Sequence, residues 1–220
     1  MNYERNRMLR LFLIRHGETA ENVRMSYLGT RDEPLTEIGM RQARQAAEAL
    51  STLKIRAAIS SPLRRAADTA ARIQESCGIE LRLDARLAEG SFGSWEGLTR
   101  DDVLRSRDAG LLARWESDSS CAPPGGESIE SVQARILALA NELIDGFPNA
   151  SVAMVSHVGP IKALLAAVLG IPLQATRRFF LDPGSISVVE WGDRPLLRLF
   201  NSHAHLGWAS ARWMEEKRSQ

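Results

Sequence analysis

The chain has 220 residues, of which 44% are hydrophobic, and a formal net charge of +1. That balance leaves enough apolar residue for a full core and excludes a global basic field that would gather nucleic acid or coat an anionic membrane. No stretch reaches membrane-spanning length, and Cys77 and Cys121 stand far apart, outside any metal-ligand spacing; a soluble protein of a reducing compartment, the cytoplasm, is expected.

The first eight residues are polar and charged. The apolar run after them is too short for a signal-peptide core and carries Arg10 at its head. Leu11-Phe12-Leu13-Ile14 reads as a buried strand, and it breaks directly into Arg15-His16-Gly17-Glu18-Thr19. A loop is expected over 22–34, with Gly29 and the turn-prone Asp32-Glu33-Pro34. Thr36 then reads as the N-cap of a helix over 37–53. Residues 57–60 form a second short strand. Ser61-Pro62 follows as an N-cap with proline at the first helical position, starting a helix that stops at Gly78. Residues 79–83 alternate like a half-buried strand. Residues 84–127, rich in Gly, Pro and aromatics, read as an insertion beside the sheet, with a helix start at Thr99.

A long helix is expected over 127–147, with Ile129, Val132, Ile136, Leu139 and Leu143 at core spacing. A strand over 151–155 leads into Ser156-His157-Val158-Gly159-Pro160, and a helix over 161–169 ends at Gly170. Residues 185–191 and 196–201 form a hairpin, followed by a polar tail that is helical or frayed. Strands alternating with helices predict one α/β domain over 1–220, with a mostly parallel sheet and an antiparallel pair at its edge.

Three strand ends carry polar residues of one kind: Arg15 and His16, then Ser61 with Arg64 and Arg65, then Ser156 and His157. In a parallel sheet these ends share one edge, where α/β folds bind ligands. Two helix starts there add N–H groups that favour an anion, and arginines grip phosphoryl oxygens in fork geometry. The arginines repel cations, so no metal is expected at His16 and His157. His203 and His205 offer two ligands without a third and read as tail surface.

Arg15-His16-Gly17-Glu18-Thr19 with Asn22 resembles the signature of the histidine phosphatase superfamily, also called phosphoglycerate mutase-like. The resemblance continues in order through Gly29, Asp32, Pro34-Leu35-Thr36, Gly39 and Gln42-Ala43. It then takes in Ser60-Ser61-Pro62-Leu63-Arg64-Arg65-Ala66 with Thr69-Ala70, Leu87-Ala88-Glu89 with Phe92-Gly93 and Trp95-Glu96-Gly97, Pro124-Gly125-Gly126-Glu127-Ser128, and Val155-Ser156-His157. It implies a three-layer α/β/α fold and a phosphomonoester hydrolase. It implies that His16 is phosphorylated, that Arg15, Arg65 and His157 hold the phosphoryl oxygens, and that Glu89 donates the proton. Asn22 and Val158 join the phosphate-binding set, and no cofactor is implied. The partner is a small phosphate ester, with no nucleic acid or membrane; a homodimer is compatible with this reading.

Three further readings stay open. Tyr27-Leu28-Gly29 and the run from Ser156 to Lys162 are similar to bacterial phosphatases of the alpha-ribazole phosphate type, which act late in cobalamin synthesis. A phosphoglycerate mutase is disfavoured: Leu28 and Phe92 stand where hydroxyl residues are expected, and Arg100, Arg105, Arg107 and Arg114 include no adjacent pair. A non-catalytic phosphate-binding module is the reading from another class. Phe92, Trp95 and Trp115 either shape a leaving-group pocket or form local core.

Overall fold

The computed structural model describes residues 7–207. The tail expected after the hairpin therefore lies outside the described residues. In chain order, strand β1 (Leu9–Arg15) leads to a short helix α1 (Ala20–Arg24), then α2 (Glu37–Ser51), β2 (Ala57–Ser60), α3 (Arg64–Cys77) and β3 (Glu80–Leu83). The segment between β3 and the next long helix carries α4 (Arg100–Leu104) and α5 (Ala109–Ser117). Helix α6 (Ile129–Gly146), β4 (Ser151–Ser156), α7 (Val158–Leu169), β5 (Ile186–Trp191) and β6 (Leu196–Ser202) complete the fold.

The six strands form one sheet in the order β3-β2-β4-β1-β5-β6. The first four run parallel, β5 runs antiparallel to β1, and β6 antiparallel to β5. The expected mixed sheet with its antiparallel edge is therefore the observed one. The strand period of two divides the apolar residues between two faces. Leu9, Leu11 and Leu13 of β1 and Val152 and Met154 of β4 pack with α6 and α7. Ile14, Ala153 and Val155 pack on the other face with alanines of α2 and α3. Burial on both faces explains why β1 and β4 read as unbroken apolar runs. Helices on both faces make three layers. The segment after β3 closes a small core of its own around Trp95, Val103 and Leu112.

Three local expectations need correction. Helix α1 runs over 20–24 and takes in residues 22–24 of the expected loop, because the Thr19 side chain accepts from Asn22 N and the Asn22 side chain accepts from Thr19 N. Helix α3 is capped at Leu63, without a side-chain bond, and not at Ser61. Ser61 Oγ still accepts from Leu63 N at 3.2 Å, but it does so from a turn before the helix. Helix α7 begins at Val158, three residues earlier than expected, since proline is tolerated in a first turn that has no intrahelical N–H bonds to lose. Among the described residues no helix is long and apolar enough to cross a membrane.

Candidate active site

Strand register assembles the site. Arg15 of β1 lies beside Ser156 of β4, and Ser60 of β2 lies beside Val155 of β4. The residues that follow, His16, Ser61 and His157, therefore leave one sheet edge together. His16 and His157 are buried, with ring centroids 5.0 Å apart.

The His16 ring is held by its own neighbour. Nδ1 lies 2.7 Å from the Gly17 carbonyl oxygen, which can only accept, so Nδ1 carries the proton and Nε2 keeps its lone pair. The loop beyond it is fixed from two helices. Thr69 Oγ1 on α3 accepts from Gly17 N at 3.2 Å, and Gln42 Oε1 on α2 accepts from Glu18 N at 2.8 Å. Burial, then the charges of Arg65 and Arg15, push the His16 pKa well below its ordinary value. The imidazole is neutral at pH 7, as a nucleophile requires.

The arginine that precedes Ala66 is the buried one. Arg65 is 1% exposed, whereas Arg64 lies on the surface and pairs with Asp68 at 3.5 Å. Arg65 donates through Nη1 and Nη2 to the Arg31 and Gly29 carbonyls, both at 2.7 Å, and through Nε to His157 Nδ1 at 3.2 Å. That last bond fixes the second histidine. Its Nδ1 accepts, so Nε2 carries the proton and donates to Ser61 Oγ at 2.8 Å. Burial, then Arg65, His16 and Arg15, hold the His157 pKa well below its ordinary value. Arg15 donates to the Leu181 carbonyl at 2.5 Å and is buried beside the pair.

Glu89 sits on the loop after β3. Its carboxylate accepts from Gly90 N at 2.9 Å and from Gly159 N at 3.2 and 3.3 Å, which ties it to the first turn of α7. A Cβ added at Gly159 would collide with this carboxylate. Ser156 Oγ donates to the Leu87 carbonyl at 2.6 Å, fastening the same loop to the end of β4. Val158, the first residue of α7, lies with Glu89 on a cavity of about 170 Å³. Phe92, Trp115, Ile129, Lys162, Leu173 and Arg177 also line it.

The aromatic residues divide between the two roles left open. Phe92 and Trp115 line the cavity, while Trp95 is buried in the small core with Nε1 donating to Asp108 at 2.9 Å. Asn22 has a local role, its Oδ1 accepting from Thr19 N at 3.1 Å. His203 and His205 are not tail surface. His203 is 7% exposed and lies 3.8 Å from the buried Asp182, and His205 Nε2 lies 3.0 Å from the Gly184 carbonyl. Sequence reasoning gave no role to Ser61, Thr69, Gln42 or Gly159 in orienting the site. Their contacts join positions distant in the chain, and only a motif match could have pointed to them.

A profile of the histidine phosphatase superfamily (branch 1) matches residues 11–202. A bifunctional protein of Mycobacterium tuberculosis (strain ATCC 25618 / H37Rv) is 40% identical over 183 residues, 83% of this chain. The chain spans half the length of that relative. The structure of a mycobacterial glucosyl-3-phosphoglycerate phosphatase complexed with VO3 superposes with a TM-score of 0.80 at 36% identity, covering 88% of this chain and 98% of the other. A putative alpha-ribazole-5'-P phosphatase from Escherichia coli gives 0.79 at 29% identity, covering 88% and 96%.

Proposed function

The chain belongs to the histidine phosphatase superfamily, and from that membership we propose that it hydrolyses small phosphate monoesters through a phosphohistidine on His16. The observation that carries the proposal is the Nδ1–H bond to the Gly17 carbonyl, which leaves Nε2 as a neutral nucleophile beside buried Arg15 and Arg65. Nε2 attacks phosphorus in line, and the ester oxygen leaves with a proton from Glu89. Arg15 and Arg65 stabilise the charge spread over the remaining oxygens, and His157 turns its Nε2–H from Ser61 Oγ to one of them, a part that metal ions fill in other phosphoryl-transfer sites. In the second step the Glu89 carboxylate takes a proton from water as that water attacks the phosphohistidine. Inorganic phosphate leaves, and Glu89 is protonated again.

A phosphatase is favoured over a mutase by the likeness to the mycobacterial phosphatase and by the missing arginine pair. The reading is a phosphomonoesterase in general; the alpha-ribazole alternative has one structural likeness in its favour. The test is hydrolysis of para-nitrophenyl phosphate in a strong chelator by the wild type and His16→Ala, with acid-quench trapping of phosphohistidine. Turnover and a trapped phosphoenzyme in the wild type, both lost in His16→Ala, are expected. Turnover restored only by phosphoglycerate would place the chain among the mutases, and binding without any turnover would make it a phosphate-binding module.

A further inference from the structure

The cavity beside Glu89 has walls of two kinds. Phe92, Trp115, Ile129 and Leu173 are apolar, while Lys162 and Arg177 bring positive charge. The carboxylates on the same cavity are already engaged. Glu116 is held in a two-point pair by Arg100 at 2.7 and 3.0 Å, and Glu89 accepts from backbone N–H groups.

The cations are not matched in this way. Arg177 lies over the Trp115 ring at 4.0 Å and donates to the Trp115 carbonyl at 3.0 Å. Among the described residues the close partner of the Lys162 ammonium is the Phe179 ring, 5.2 Å from its centroid. A ring face is worth about 0.5–1 kcal/mol to a cation and accepts none of its N–H bonds in the ordinary way. Lys162 therefore keeps hydrogen-bonding capacity for whatever enters the cavity. Its position relative to the chemistry is set by the helix. Lys162 is three residues after Gly159, the residue that donates to Glu89, and positions three apart on a helix are neighbours. A group meeting Lys162 therefore belongs to the departing half of the substrate, on the side of the proton donor.

We propose that Lys162, with Arg177, forms an anion subsite for a carboxylate on the leaving group, making Lys162 a specificity-determining residue of the phosphatase. This rests on the phosphatase reading above. The apolar walls suit a carbon skeleton carrying that carboxylate, and Arg177, stacked on Trp115, brings a second positive charge to the same cavity. Burial, with Arg15 and Arg177 adding to it, lowers the Lys162 pKa to about 8, so the ammonium is still mostly charged at pH 7.

The experiment compares phenyl phosphate with 3-carboxyphenyl phosphate, whose phenols leave with nearly equal ease. The wild type is expected to favour the carboxylated ester at least about tenfold in kcat/KM, the scale of one charge-assisted hydrogen bond. In Lys162→Met that ratio is expected to fall close to one. Each ratio is taken within a single protein preparation, so partial misfolding cancels. A wild-type ratio near one, or a ratio unchanged in Lys162→Met, overturns the subsite. Binding of phenylphosphonate and 3-carboxyphenylphosphonate by calorimetry separates the two proposals. If neither ester is hydrolysed, the phosphatase reading fails, and the phosphonate ratio, lost or kept in Lys162→Met, still decides the subsite.

Discussion

Glu89 carries the demand that separates one phosphate ester from another. An alkoxide leaves only with a proton, whereas para-nitrophenolate is stable without one. Glu89→Gln is therefore expected to lose about 10²–10⁴-fold in kcat/KM for an alkyl phosphate and far less for para-nitrophenyl phosphate. Equal losses on both substrates would show that Glu89 is not the donor. At this scale the sequence was legible where a residue type has a chemical meaning by itself. His16 and His157 at strand ends were readable in this way, the choice of Arg65 over Arg64 came from the family resemblance, and the structure buries all three at one edge. Ser61 was misread as a cap because Ser-Pro is a good helix start locally. Its bond to His157 crosses 96 positions and leaves no local trace. Lys162 gives no such signal, since nothing in a helical stretch tells which side chain will face a cavity.

The elements that bring these residues together meet through glycine. A Cβ on Gly17 would strike the Gly39 carbonyl, and one on Gly39 would strike the Glu18 carbonyl. The loop after β1 and the first turn of α2 thus touch backbone to backbone, and neither partner is a side chain that can swing away. Gly39→Ala is expected to push the His16 loop off α2, costing about 1–3 kcal/mol, the range of overpacked cores. Turnover should fall with it by at least about tenfold. Gly146→Ala, where no atom beyond its own turn of helix lies within 4 Å of the added Cβ, should leave turnover unchanged and thermal unfolding unchanged or slightly later. Equal effects of the two substitutions would rule out the contact as the cause. The sequence announced the helix ends that depend on backbone geometry: Gly78 and Gly170 both adopt the left-handed conformation after α3 and α7. It concealed α1, whose five residues are too few to show a period and rest on the Thr19–Asn22 pair.

For the whole molecule, two neutral imidazoles in the interior make stability depend on pH. The unfolded chain binds a proton at each near pH 6.5, while the folded chain resists protonation to well below that value. The stability they permit is therefore present above about pH 6.5. It is lost as the pH falls below that point, at up to about 1.4 kcal/mol per pH unit for each histidine. Urea midpoints at pH 7.5 and 5.5 should separate clearly in the wild type and move closer in a His16→Asn, His157→Asn double variant. An unchanged separation would assign the acid sensitivity to other groups. The layered architecture was the most legible level, because β1 and β4, apolar on both faces, alternate with amphipathic helices along the chain. The antiparallel neighbours of β1 follow from the same plan. Leu11 pairs with Val152 of β4 on one side and Val189 of β5 on the other. The strand that leads into His16 thus finds both its partners more than a hundred residues further along the chain. Its buried apolar residues stay unpaired until those distant strands close on them, and closure of such distant pairs is slow. The active site therefore forms late in folding, once β4 has closed on β1 and brought His157 beside His16.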